Sequence, residues 1–228
     1  MKSLVFDTGP VISLTMNNLL WLLKELKKKF KGEFYISTSS KEELVDHPLS
    51  TKRFEFEALQ VLKIINEGTL KVLEDKEVEK KTNILLDLAN SIFNAYGKNI
   101  RIVHKAEMQG LALCINLKAD AFVVDERTSR LLIEDYSRLK NILEKKLHTR
   151  IKVNNNNLKE FQKITKGVKI IRSIELVTAA FELGLLNSYI LNIKDAKKKL
   201  LDSVLWGVKL DGCAVSKNEI EEIMKLVK

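Results

Sequence analysis

Proline and glycine are scarce in this chain, at two and nine residues in 228. With so few breakers there is little room for a disordered linker, and no internal repeat or low-complexity tract is visible. Cysteine is equally rare. Cys114 and Cys213 sit in apolar contexts at no metal-ligand spacing, which argues against a disulfide scaffold or a zinc site and for buried free thiols in a reducing compartment. The three histidines, His47, His104 and His148, are scattered, so no Cys/His or Ser/His nucleophilic pairing suggests itself; only His104 lies near an acid of interest, Glu107. Long apolar runs are missing too. Leu4–Phe6 stops at Asp7, and Leu19–Leu23 is far short of the roughly 20 residues a membrane helix needs. No secretory or membrane segment is expected, and the expected location is the cytoplasm.

What is present is apolar and basic. Hydrophobic residues make up 45% of the chain and charged ones 30%, enough for one large domain, or a domain with an appendage. The formal net charge of +9 attracts polyanions, of which nucleic acid is the commonest in cytoplasm; a lysine-rich surface serving solubility is the alternative. Lys27–Lys29, Lys140 with Lys145 and Lys146, and Lys197–Lys199 are the clusters that could grip phosphates, or simply be solvated helix faces. Trp206 and Tyr189 could stack on bases, although Trp206 between Leu205 and Val208 reads more naturally as core.

The hydrophobic pattern alternates strands with helices. Leu4–Phe6, Phe34–Ser37, Leu70–Leu73, Ala121–Val124 and Val168–Ile171 read as strands. Helices are predicted within Asn17–Lys31, Arg53–Glu67, Lys76–Tyr96, Lys105–Leu117 and Ser173–Phe181, with one or two more over Thr128–Leu147. Asn154–Asn157 reads as a polar loop, and 186–228 as two helices around Leu205–Val208. The order implies an α/β fold with a mainly parallel sheet. Lys105–Leu117 is apolar nearly all round and should be buried.

Four acids stand at element boundaries that would aim them at one rim. Asp7 ends the first strand, Glu43 opens the helix after the second, Glu107 lies in the first turn of the buried helix, and Asp125 ends the Ala121–Val124 strand. In open parallel sheets ligands collect beyond the carboxyl ends of strands. Clustered carboxylates repel unless protons, basic groups or metal ions compensate them, and hard divalent cations take oxygen ligands. Each acid has a plainer reading. Ser40 and Glu43 fit a capping box, Glu107 complements a helix dipole, and Asp7 and Asp125 are ordinary loop acids.

These residues also carry a family resemblance. Phe6-Asp7-Thr8-Gly9-Pro10-Val11-Ile12 resembles the first motif of PIN domains, a nuclease-like fold common in archaeal and bacterial ribonucleases. Lys41-Glu42-Glu43-Leu44 is similar to the second, with Glu43 as the match. Ala106-Glu107-Met108-Gln109-Gly110-Leu111-Ala112-Leu113 is similar to the third, and Val123-Val124-Asp125-Glu126-Arg127, through Arg130, to the fourth. Residues 1–130 match in order and spacing. Ile171–Leu185 is more weakly similar to the last strand and helix, with Ser173 in place of a Ser or Thr near the acids. Departures are Glu rather than Asp at 107, about forty residues between Asp125 and the last strand, and a tail beyond Leu186.

The resemblance implies a PIN-like three-layer α/β/α sandwich over 1–185, with an insertion around 131–167 and a helical extension over 186–228 packed on it. It implies a metal-dependent endoribonuclease in which Asp7, Glu43, Glu107 and Asp125 hold one or two Mg²⁺ or Mn²⁺ ions. Thr8, Glu126 and Ser173 would be supporting residues that orient water or a carboxylate. RNA is the implied partner, with a homodimer or a regulatory protein as further candidates and no membrane. A non-catalytic RNA-binding or assembly module on the same fold, and a toxin-type ribonuclease controlled by a partner protein, are the alternatives.

Overall fold

The computed structural model describes residues 2–227, so Met1 and Lys228, the outer ends of the two expected segments, lie outside the described residues. The chain opens with β1 (Ser3–Phe6), α1 (Thr8–Met16), α2 (Leu22–Phe30) and β2 (Glu33–Ser37). A short α3 (Thr38–Lys41), a π turn (Glu42–Asp46) and α4 (His47–Leu49) lead into α5 (Glu55–Asn66) and β3 (Lys71–Leu73). Next come α6 (Lys76–Ala89), β4 (Phe93–Ala95), β5 (Lys98–Asn99), α7 (Lys105–Leu117) and β6 (Ala121–Val123). Then follow α8 (Arg127–Glu134), α9 (Tyr136–Leu147), β7 (Lys152–Val153) and α10 (Asn155–Ile164), so the region 131–167 expected as an insertion begins within α8. The chain continues with β8 (Ile170–Ile171), α11 (Ser173–Glu182), α12 (Ala196–Leu210) and α13 (Lys217–Leu226).

The fold is α/β. Five strands pair in the order β3-β2-β1-β6-β8, every pairing parallel. Side-chain alternation along β1 builds three layers from this sheet. Leu4 and Phe6 face one core, with Phe34, Ile36 and Val123 from neighbouring strands and Val11, Leu14, Leu23 and Val61 from helices. Val5 faces the other, with Phe122, Val124, Leu85 and Leu111. The tail belongs to the first core, through Leu201, Leu205, Val208 and Ile220; the insertion belongs to the second, through Leu139, Ile151, Leu158 and Phe161. Among the described residues no helix is long and apolar enough to cross a membrane.

Three local expectations are corrected. The helix predicted to run to Tyr96 ends at Ala89, and Phe93–Ala95 is a strand of a small antiparallel sheet with Lys98–Asn99 and Lys152–Val153. Tyr96 (φ +53°) and Gly97 (φ +77°) are both left-handed, so Gly97 makes a hairpin turn and not a helix cap. Asn154 is no mere loop residue: its side chain accepts from the amides of Asn156 and Asn157 and caps α10. The Leu205–Val208 stretch lies inside α12 and is not a junction between two helices.

Helix α7 is nearly all apolar because it lies between the sheet and α6. A Cβ on Gly110 would stand 2.9 Å from Cε2 of Phe122, a ring with no exposure. Gly110→Val should therefore cost about 1–3 kcal/mol through overpacking, read as a lowered urea midpoint at unchanged slope.

Candidate functional site

Asp7 directly follows β1, and Asp125 follows Val124 beyond β6. These are the neighbouring strands at which the order reverses, with β2 and β3 on one side and β8 on the other. Such a switch point opens a crevice beyond the strand ends. The Asp7 amide donates to the Val123 carbonyl at 2.9 Å, tying the two strand ends together. Gly9 sits between the two acids: an added Cβ there would lie 3.4 Å from Cβ of Asp125 and 4.0 Å from Oδ2 of Asp7.

Asp7 is 4% exposed, and its Oδ1 is buried with no hydrogen-bond partner. Burial pushes its pKa up to about 7; the Glu107 and Glu43 charges add to the rise, and the Thr8 and Gly9 amides oppose it. The two amides compensate its charge only in part, since burial is the larger effect.

Glu43 reaches this place by an unexpected route. The residue capping α3 is Ser37, whose Oγ accepts from the Ser40 amide at 3.1 Å, so Glu43 is not needed as a cap. It lies instead in the π turn, a local widening of a helix often found at functional sites. Although exposed, it is held: Thr8 Oγ1 donates to its Oε2 at 2.9 Å.

Glu107 serves the start of its own helix. Its Oε2 accepts from the His104 amide at 2.9 Å, closing a capping box on α7. Burial also raises its pKa, and the Glu126 charge adds to that against the opposing His104 amide. Glu126 itself caps α8, accepting from the Ser129 amide at 2.7 Å.

Asp125 is 1% exposed and its carboxylate faces inward. Oδ1 accepts from the Ser173 amide at 2.7 Å, and Oδ2 from Ser13 Oγ at 3.0 Å. Its main-chain oxygen accepts from the Ala214 amide at 3.0 Å. Burial, with the nearby Asp125 charge adding, pushes the Cys213 thiol up to about 12, so both it and the buried Cys114 are inert as nucleophiles at neutral pH. Sequence reasoning missed Ser13. Its Oγ also lies 3.0 Å from the Asp211 carbonyl oxygen, so it links Asp125 to the C-terminal segment. The available signal was a small polar residue inside the apolar run Val11-Ile12-Ser13-Leu14. Ser173 contributes its amide, whereas its hydroxyl is buried without a partner, like that of Ser129.

The structure thus brings Glu43 and Glu107 each within Coulombic reach of Asp7 and puts Glu126 beside Glu107. Asp125 adjoins Asp7 across Gly9 but spends both oxygens on Ser173 and Ser13. Among the described residues no group of three or more His, Cys, Asp and Glu side chains is arranged to hold a metal ion. Of the basic clusters, Lys27 serves the fold, pairing with Glu33 at 2.7 Å and donating to the Gly68 carbonyl. Lys198, Lys199, Lys217 and Lys225 line a groove between α12 and α13 with Trp206, interleaved there with Asp195, Asp202 and Glu221. Comparison with protein-family models, with curated proteins and with solved structures finds no match to this chain.

Proposed function

We propose that the chain is a PIN-like metal-dependent endoribonuclease that hydrolyses RNA phosphodiester bonds at the acidic crevice. Asp7, Glu43, Glu107 and Asp125 would hold Mg²⁺ or Mn²⁺. The observation that carries the reading is Asp7: a buried carboxylate with a bare oxygen, raised to about 7, facing two further acids. An unsatisfied buried polar atom costs about 1–3 kcal/mol, and a cation at this place relieves both that cost and the acid repulsion. The donor set is all oxygen, as hard cations prefer.

When bound, a divalent cation supplies an acidified water and neutralises charge on the scissile phosphate. The chain's own residues do the positioning. Thr8 fixes Glu43 through its hydroxyl, and the Ser173 amide with Ser13 fixes Asp125. The His104 amide fixes Oε2 of Glu107. Glu126 adds negative charge beside Glu107, which strengthens the site's demand for a cation. The chain's net charge of +9 suits an RNA backbone, with a strongly salt-dependent affinity.

The test is cleavage of single-stranded RNA with Mg²⁺ or Mn²⁺, with a chelator as control. Asp125→Asn should lower the rate at least tenfold without unfolding the protein. A non-catalytic RNA-binding module is favoured by the engaged oxygens of Asp125, and it predicts salt-sensitive binding with no cleavage in any divalent metal.

A further inference from the structure

Beside the acids, α1, α4 and α5 enclose a cleft of about 300 Å³ whose walls are Ile12, Met16, Leu44, Pro48 and Phe54. That volume is at the lower end of small-ligand pockets, about 300–1,000 Å³. Its mouth is apolar and open to solvent: Ile12 and Met16 are 42% exposed and Phe54 is 44% exposed. Phe54 is also held in the left-handed region at φ +63°, a conformation that costs a non-glycine residue about 1–3 kcal/mol. The Arg53 guanidinium lies 4.7 Å from the centre of its ring, and the exposed Lys52 before it lies 3.7 Å from Glu55.

The polar groups of the cleft are of one kind. Glu43, Glu57 and Asp211 line it, with the Thr15 hydroxyl already donating to the Val11 carbonyl and no Lys, Arg or His among the lining residues. Glu43 commits Oε2 to Thr8 and Asp211 commits Oδ2 to Asn17. The cleft therefore offers flat apolar walls, an aromatic face and acceptors, and it asks its occupant for donors.

We infer that this cleft is a base subsite that takes an unpaired guanine next to the scissile phosphate. Guanine alone among the four bases presents two adjacent donors on its Watson–Crick edge, N1–H and the exocyclic amino group, which together match one carboxylate. Uracil sets a single donor between two acceptors, and adenine and cytosine each offer only an amino group beside an acceptor. The plane of the base stacks on Phe54, as single-stranded RNA bases do on exposed aromatics. Because Glu43 is shared, the attached phosphate points toward Thr8 and Asp7, and Arg53 with Lys52 meets the backbone at the rim. The inference rests on the acidic crevice being the place of phosphodiester cleavage.

The experiment measures binding of the full chain, in metal-free buffer, to fluorescein-labelled hexauridylate and to the same hexamer carrying one central G, A or C. The G-containing hexamer should bind at least tenfold more tightly than the other three. Phe54→Ala should weaken all four, and Glu57→Gln should reduce the G preference selectively. Equal affinity for all four hexamers overturns the inference. So does a self-association in sedimentation that Phe54→Ala abolishes without any change in RNA binding, since the face is then an interface between two copies. The two readings fail separately. Mn²⁺-dependent cleavage of hexauridylate at the rate of the G hexamer leaves the nuclease standing and removes the guanine subsite. G-selective binding with no cleavage in any divalent metal does the reverse.

Discussion

Asp7→Asn should abolish metal-dependent RNA cleavage, by at least a thousandfold, and at the same time stabilise the metal-free protein above neutral pH. The first effect follows because the substitution removes the charge and one acceptor from the carboxyl that Glu43 and Glu107 act on and Asp125 adjoins. The second follows from the sign of the pKa shift. A carboxyl raised from 3.8 to about 7 by burial holds its proton more tightly folded than unfolded. Below pH 4 it is protonated in both states and costs nothing. As pH rises from 4 to 7 the unfolded state ionises and the folded state resists, so stability falls by up to about 4 kcal/mol, and above 7 the deficit is constant. Asn carries no such titration. Melting curves of the metal-free wild type should therefore drop between pH 4 and pH 7, and those of Asp7→Asn should stay flat across that window. A stable, inactive variant would show that this acid serves chemistry at the expense of the fold. A variant that is both active and less stable would make Asp7 an ordinary structural carboxylate.

Arg172→Ala should destabilise the protein by about 2–3 kcal/mol and loosen the acidic site with it. The Arg172 side chain is only 12% exposed and joins three parts of the chain. Its guanidinium reaches Glu175 at 2.6 Å in α11, Glu219 at 2.8 Å in α13, and the Ala214 carbonyl at 3.2 Å. Desolvation alone would lower the pKa of the guanidinium, but Glu175 and Glu219 outweigh it and raise it. The next residue, Ser173, donates its amide to Asp125, so a loosened start of α11 releases one of that acid's two anchors. Chemical denaturation reads the first effect; a fall in cleavage rate at unchanged RNA affinity reads the second.

The same network has an acid signature. Burial alone would raise Glu219, yet the Ser216 amide and Arg172 bring it down to about 2. A depressed carboxyl contributes stability that is present above its unfolded value of 4.5 and is lost as pH falls toward 2. Glu219→Gln should flatten wild-type acid unfolding in that window.

The parts legible in the sequence are those set by short-range pattern. β1 and Asp7 were visible as an apolar run cut by an acid, and α7 as a helix apolar on every side because it lies between the sheet and α6. Gly68 and Gly184, just beyond the predicted helices Arg53–Glu67 and Ser173–Phe181, have positive φ values of +73° and +72°, as residues that end helices do. What stayed hidden depends on partners far along the chain. Phe93 continues the helical spacing of α6, and only pairing with Val153 explains why it is a strand residue. The inward turn of Asp125 is set by Ser13 and Ser173, 112 and 48 residues away, which no spacing rule reports. The tail looked like an appendage because its apolar residues have no partner within it; they pack on α1 and α11. Asn17 ties that packing down, bridging the Ser13 carbonyl and Asp211 at 2.8 and 2.7 Å.

Calorimetric titration of Mn²⁺ into wild-type protein and into Asp7→Asn at pH 7.5 tests the cation site most directly. The wild type should bind at least one ion saturably and release protons as it does so, since Asp7 is partly protonated at that pH. Asp7→Asn should bind at least a hundredfold more weakly, with little proton release. Indistinguishable titrations of the two proteins, or no binding by the wild type at millimolar Mn²⁺, would contradict a metal centre at Asp7.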